Sequence, residues 1–420
     1  MIKRNIPVFV SNSKIEKRDV LLSRMVSLYS VLVVANYSLK TYFNAMPTLV
    51  SIINSGIMAV LFAAMFLSLM KVYKINKAII QKSYLLFGFL LLVGCLINSS
   101  NGYPNDIILK ENAVWNLGLW IPLGCSVCSI RDKNILYKEL LRSSYVMDIF
   151  LAFSFLTRQV YTEYGLVSYN MSYGTYILLP LLIHLNEFFQ RKNKFVLVIF
   201  LLELFTLLIY GNRGGLLAIA FYIFTYFVLS NKSSKSTTIF IALSFAVIFI
   251  VLLSGEFLLG GLHSSLSSHG IQSRTLDMFF SGDITLSTER DELRAITLDM
   301  IKESPVLGWG FGGEYYEIAK RFGSTTLGVT SYYNPHNGVL QNLVEFGVVL
   351  GLIATFLLVK PLFGTRKVRN GAHKDLLMIF GSLAIISRLV SSAGFFIRPE
   401  VAMFLYLYYF RNRFGKVDVS

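Results

Sequence analysis

The stretch FVLVIFLLELFTLLIY (195–210), GNR (211–213), GGLLAIAFYIFTYFVLS (214–230) decides the fold class. Two apolar runs sit on either side of a turn of a few residues, and neither shows the period-two alternation of a barrel strand. Runs of this kind, roughly 17 to 24 residues long, recur along the 420-residue chain and match the length a helix needs to cross about 30 Å of hydrocarbon. Backbone polar groups in lipid must be satisfied within the segment, so the spans are helices. Composition agrees: 54% of residues are hydrophobic, 15% are charged, and the mean hydropathy is +0.59, outside the range of an ordinary soluble domain. The sequence therefore predicts an all-α polytopic membrane protein.

Twelve spans are predicted, at 21–42, 47–70, 82–99, 113–130, 136–157, 172–189, 195–210, 214–230, 237–255, 337–359, 375–393 and 395–411. Every second connection is basic. Lys71, Lys74 and Lys77 mark one, Arg191, Lys192 and Lys194 another, and Arg366, Lys367 and Arg369 a third. The positive-inside rule then places both termini and these loops in the cytoplasm. The first twenty residues, with Lys3, Arg4, Lys14, Lys17 and Arg18, read as a basic cytoplasmic tail rather than a cleavable signal. This asymmetry explains most of the formal net charge of +15, so nucleic acid is not implied and anionic membrane lipids are sufficient partners. Cys125-Ser126-Val127-Cys128 has zinc-like spacing but no second pair, and together with Cys95 it reads as buried structural thiols.

Three parts follow: helices over 1–255, a large outward loop over 256–336, and the last three spans with a cytoplasmic tail over 337–420. The loop is about 81 residues, far beyond an ordinary connection, and lengths of that kind are usually functional or disordered. Its second half predicts a helix, capped by Ser287 and Thr288, with Leu293, Ile296, Met300 and Ile301 on one face and a stop before Pro305. The Ser/Gly-rich stretch 260–273 reads as a flap. Ten acidic residues against six Lys and Arg give the loop a net charge of −4, so its arginines are not part of a basic excess.

Several residues on the outward side carry candidate chemistry. Arg213 is confined to its turn, and the flanking glycines leave backbone N–H groups at the start of the next helix, a place for phosphate oxygens. Snorkelling to lipid phosphate is the plainer reading. Arg290 and Arg294 lie one turn apart on one helix face, relieved either by an anion or by Asp291. Arg158 opens a loop containing Tyr161, Tyr164 and Tyr169, which suit sugar stacking and the interface belt equally. Arg388 lies within a span, where a charge faces a cavity or a partner, while Arg398 has Glu400 two residues on. His336, after Asn334-Pro335, begins the tenth span at the outer mouth of the bundle, where a neutral imidazole takes a proton near pH 7.

Asn212-Arg213-Gly214-Gly215-Leu216-Leu217-Ala218, Ser287-Thr288-Glu289-Arg290, the run Met300 to Gly312 containing Gly308-Trp309-Gly310-Phe311-Gly312, and His336-Asn337-Gly338 followed by Gly347-Val348-Val349-Leu350-Gly351 together resemble the O-antigen polymerase and O-antigen ligase superfamily. The likeness covers roughly the C-terminal half, from the seventh span onward. It implies a GT-C-like glycosyltransferase of the bacterial cytoplasmic (inner) membrane, acting on the periplasmic side. The donor would be a polyprenyl-pyrophosphate-linked oligosaccharide, with no cofactor and no metal. His336 would activate the acceptor hydroxyl, and Arg213 and Arg290 would bind the pyrophosphate. Arg294 does not fall on the family position and ranks second, and Asn337, Arg158 and Arg388 are further candidate substrate-binding residues read from the sequence itself. Guanidinium groups suit a diphosphate leaving group where no divalent ion serves it, because they stay charged and donate bidentately. A chain-length regulator is a possible partner. The superfamily's arginine-to-glycine repeat pattern is not found after Arg158 or Arg290, which leaves the role of Arg158 open. Polymerase is favoured by the tyrosine-rich second loop from Arg158 to Gly174, ligase is the first alternative, and a transporter or lipid-linked-glycan flippase is the second.

Overall fold

The computed structural model describes residues 13–103, 105, 109, 113–160, 171–210, 213–229, 260–261, 263–265, 267–268, 288–310, 312–322, 335, 337–368, 370–389 and 399–410. No strand occurs among the described residues. The principal helices are α1 (Ser13–Tyr42), α2 (Pro47–Ser100), α3 (Ile121–Ser129, entered through a π-helical turn at Asn116–Trp120), α4 (Lys133–Val160), α5 (Met171–Tyr176), α6 (Leu178–Arg191), α7 (Lys194–Tyr210), α8 (Arg213–Leu229), α9 (Thr288–Glu303), α10 (Gly313–Arg321), α11 (Gly338–Gly364), α12 (Gly371–Leu389) and α13 (Pro399–Tyr409). Among the described residues, four helical stretches are long and apolar enough to cross a membrane: Glu16–Tyr42, Pro47–Ser100, Lys133–Thr157 and Gly338–Lys367. Gly214–Leu229 is a shorter apolar helix.

Two predicted boundaries shift. α1 begins at Ser13, inside the segment read as a basic tail. The basic connection at 71–81 is helical, and the chain breaks only at Asn76, whose φ of −148° and ψ of 72° end one limb of α2. Asn76 then caps the next limb, its side-chain oxygen accepting from Ile79 N at 3.1 Å, a helix-start device available to an asparagine. The predicted span 237–255 lies outside the described residues. In the stretch expected to be a flap, residues 260–261, 263–265 and 267–268 are helical.

One contiguous apolar core joins the bundle, running from Leu22 and Val26 of α1 through Leu61 and Met65 of α2 and Leu181 of α6 to Phe380 of α12 and Phe404 of α13. α1 packs along α4, α3 lies between α2 and α13, and α12 packs on α8, α11 and α13. Leu85, Phe66 and Phe356 instead stay exposed on the outside of the bundle, as lipid-facing residues do. Cys125 and Cys128 are buried in α3, and Cys95 is partly exposed.

The outward loop is stapled to the bundle through a broken helix. α11 leaves helical geometry at Gly347, with φ of 74° and ψ of 174°, which uncouples the backbone groups around it. The loop supplies partners. Trp309 N donates to Val344 O at 2.7 Å, Gly310 N to Glu345 O at 3.1 Å, and Val348 N to Pro305 O at 2.7 Å. The approach is so close that a Cβ on Gly308, whose φ is 68°, would lie 2.5 Å from Glu345 O, and one on Gly347 would overlap Val306 O.

Side chains reinforce the backbone pairing. Leu293 and Met300 of α9 and Ile318 of α10 meet Val344 of α11 in a small core, flanked by Ile296, Ile301 and Trp309. The predicted apolar face of this loop helix is therefore the face that docks, and each such side chain contributes about 1.5–3 kcal/mol when fully buried. Arg321 forks onto Glu303 at 2.8 and 2.6 Å and reaches Glu317 at 2.6 Å, beneath the Trp309 ring. Tyr103, beyond the end of α2, bonds Glu317 at 2.5 Å and stacks on Tyr316.

Gly347→Ala places a side chain where φ is positive and carbonyls already crowd the site, a strain of about 1–3 kcal/mol before the clash is counted. The variant should unfold at a lower temperature in detergent and become open to proteolysis within 305–310. Wild-type protease resistance would contradict the docked arrangement.

Candidate functional site at the loop-bearing end of the bundle

Asn337 caps α11 from extended backbone, its Oδ1 accepting from Val339 N at 3.0 Å and Leu340 N at 3.1 Å. That oxygen holds the helix start, so the amide nitrogen is the part suited to a substrate hydroxyl. Pro335 is buried immediately before it in sequence, and His336, between them, lies outside the described residues.

The arginines sit on defined helices, although the side chains of Arg158, Arg213, Arg290 and Arg388 are outside the description. Arg213 is the first residue of α8 and Arg388 the penultimate one of α12, and α8 packs on α12. α12 follows α11 after a 3-10 turn at Thr365–Lys367 and packs on it. Arg290 belongs to the first turn of α9, which packs on α11. Arg158 lies in the last turn of α4. Arg294 is described, exposed, and 3.4 Å from Asp291, the pairing expected from spacing. An exposed pair of that length contributes about 0–1 kcal/mol, so a stronger anion readily displaces it.

A cavity of about 590 Å³ opens beside the start of α8. Gly214 and Gly215 line it directly after Arg213, with Ile386 of α12 and Pro399 and Glu400 at the start of α13. Its interior is apolar and aromatic, with Leu61, Leu119, Phe380, Trp115 and Trp120, and Trp120 Nε1 is satisfied by Tyr29 OH at 3.2 Å. Asn36, Lys40 and Asn54 add polar groups, with Asn36 bonded to Asn54 at 3.0 Å. Such a space suits a ligand with an apolar tail and a polar or anionic head.

Beside the first turns of α11, the docked loop buries a carboxylate pair that sequence reasoning did not single out. Gln341 Nε2 reaches Glu345 Oε1 at 2.9 Å, Tyr315 OH at 3.1 Å and Glu314 Oε1 at 3.4 Å. Glu314 and Gln341 are fully buried. Burial first, and then the neighbouring Glu345 carboxylate, push the Glu314 carboxyl well above the ordinary carboxylate range. Neutral acid is then the stable form, and the pair ties the loop to α11 without a net dianion.

A second missed group lies deeper. Asp148, His184 and Glu203, on α4, α6 and α7, bring their ligating atoms within 4.8 Å of one another. The signal was available as single carboxylates in the apolar runs of α4 and α7, the argument already applied to Arg388.

Residues 196–355 match the family model described as O-antigen ligase. The window runs from α7 through α8 and the loop into α11, so it contains Arg213, the α9–α10 unit and the capped start of α11. The match supports the O-antigen ligase and polymerase superfamily, whose members are glycosyl-transferring enzymes. No curated protein and no solved structure matches the chain.

The Glu314 geometry carries a sign. A carboxyl whose folded pKa is raised contributes stability that is fully present below its unfolded pKa, about 4.3, and that is lost as pH rises through the folded value. Thermal stability of the detergent-solubilised chain should therefore decline from mildly acidic toward alkaline pH, and Glu314→Gln should flatten the decline. An identical slope in the two proteins would remove Glu314 as its source.

Proposed function

We propose that the chain is an O-antigen polymerase, joining polyprenyl-pyrophosphate-linked repeat units at the periplasmic face of the bacterial inner membrane with no metal in the transfer step. The observation that carries the reading is the largely apolar cavity lined by Gly214 and Gly215, directly after Arg213 in sequence, together with Ile386 of α12 and Glu400 of α13. An isoprenoid tail fits the apolar part of such a space, and its diphosphate would then lie level with the start of α8. Backbone N–H groups there and the guanidinium of Arg213 suit phosphate oxygens.

Arg290, on a helix docked to α11, supplies a second guanidinium. Arg294 ranks behind it because Asp291 already occupies it. Arg388 and Arg158 complete the positive set around the mouth, and the Asn337 amide meets the acceptor sugar. His336 takes the proton of the acceptor hydroxyl as its oxygen bonds to the anomeric carbon. The bond from that carbon to the phosphate oxygen breaks on the opposite face, inverting the centre and releasing polyprenyl diphosphate. The arginines hold the charge that develops on the leaving group, the main electrostatic demand of the step. A chain-length regulator would act on this enzyme from outside the chain.

The description of the matched family favours a second reading, an O-antigen ligase that transfers the finished glycan to lipid A core. The chemistry is shared and the acceptor differs. The tyrosine-rich segment after Arg158 favours the polymerase, since a growing glycan needs a second sugar-binding surface.

A strain lacking the chain should carry single repeats capped on lipid and no long surface polysaccharide. Polymer retained on the carrier with undecorated core would indicate ligase instead, and normal long-chain polysaccharide would exclude both. His336→Ala should lower chain extension by about 10²–10⁴-fold, the usual contribution of a general base, and Arg290→Ala should also abolish extension, with both variants still inserted in the membrane. Full activity in either removes that residue from the mechanism.

A further inference from the structure

We propose that Asp148, His184 and Glu203 form a binding site for one divalent first-row transition ion, with Zn²⁺ as the reference case, inside the helix bundle and apart from the outward mouth. Each residue lies near the middle of its helix, on α4, α6 and α7 respectively. His184 is fully buried and Glu203 is 6% exposed. His184 Nδ1 stands 3.1 Å from Glu203 Oε1 and 3.7 Å from Asp148 Oδ2. Ligand atoms bound tetrahedrally at about 2.0–2.2 Å are separated by about 3.3–3.6 Å, so the imidazole stands at coordination spacing from both carboxylates. Small side-chain rotations close the rest.

Ser144 Oγ donates to Leu141 O at 2.7 Å, which leaves it able to accept from His184 Nε2, 2.9 Å away. In that tautomer Nε2 carries the ring proton, and Nδ1, 3.1 Å from Glu203 Oε1, is the atom that would ligate the ion. This is the outer support that ligating histidines usually have, and the Tyr145 ring, 4.8 Å from the imidazole, holds the ring plane.

The carboxyl groups of Asp148 and Glu203 have each other and His184 as partners. Beyond these, both Asp148 oxygens and Glu203 Oε2 are buried with no donor from another described residue. No Lys or Arg is paired with either carboxylate among the described ion pairs, where the only cationic partner of each is His184. Two carboxylates among apolar helices are costly without a positive centre. A dication held by two carboxylates and a neutral imidazole leaves the site without net charge. One nitrogen and two oxygens select a borderline first-row ion over the all-oxygen shells of calcium or magnesium.

The test uses the full untagged chain in detergent, stripped with chelator and titrated with Zn²⁺. One ion per chain should bind saturably and raise the unfolding temperature. Glu203→Gln should abolish binding, and Ser144→Ala, which keeps all three ligands, should weaken it by about 10–100-fold. X-ray absorption at the zinc edge of the wild-type protein should show nitrogen and oxygen neighbours with imidazole scattering, a result independent of how any variant folds. Absence of saturable uptake, unchanged uptake in Glu203→Gln, or a sulfur shell from Cys125 and Cys128 would each overturn the proposal. The first of these outcomes would mean that protons alone balance the site.

Discussion

The arrangement depends on the break of α11 at Gly347 and the loop backbone that satisfies it. A helix interrupted inside a bundle exposes carbonyls and N–H groups that lipid cannot serve, and interruption is tolerated only where other protein groups meet them. Here Trp309, Gly310 and Pro305 do so. The break and the docked loop therefore require each other: without the loop α11 would carry unsatisfied groups, and without the break the loop would have no edge to pair with. The described residues that follow Pro305 inherit their position from that joint, including α10 and the buried Glu314.

This joint also explains why the long outward segment is not an independent domain. Its small core is completed by Val344 from a membrane-associated helix, and among the described residues Arg321, Lys302 and Arg294 each pair with a carboxylate of the same segment. Arg321 is the clearest case. Forked onto Glu303, bonded to Glu317 and lying beneath Trp309, it serves structure despite being an outward arginine in a region read for anion binding. Arg294, by contrast, is exposed on α9 and paired, among the described residues, only with Asp291 at 3.4 Å.

What could be read from sequence follows the range of the interactions concerned. Apolar runs, the helix at 288–303 and its docking face were legible because they rest on local periodicity. The likeness to the superfamily was legible because its motifs combine residue type with order along the chain. The turn at Asn76 was legible only as a basic connection, since a helix continuing on both sides of one non-helical residue looks the same in composition as a loop. Gly347 stood in a quoted motif, yet its purpose depends on Gly308, some forty residues earlier, approaching within contact. Glu314 with Glu345 escaped for the same reason, and although Asp148 and Glu203 each stood out as a carboxylate in an apolar run, only the fold shows that they share one place with His184.

The two polar places of the bundle impose opposite demands. At the proposed mouth, charges near water would reposition cheaply, as exchange of a lipid-borne diphosphate would require. At mid-depth, Asp148, His184 and Glu203 cannot rearrange without exposing a carboxylate to hydrocarbon, so the helices carrying them are held in register. α7 connects the two. Glu203 lies seven residues before Tyr210, about 10 Å along the helix, and the turn after Tyr210 delivers the start of α8. Whatever neutralises the mid-depth group fixes the height of α7 against α4 and α6, and with it the depth at which Arg213 begins α8. A rigid interior is thus the condition for a mouth that can take up and release a flexible substrate at a constant distance from the membrane surface.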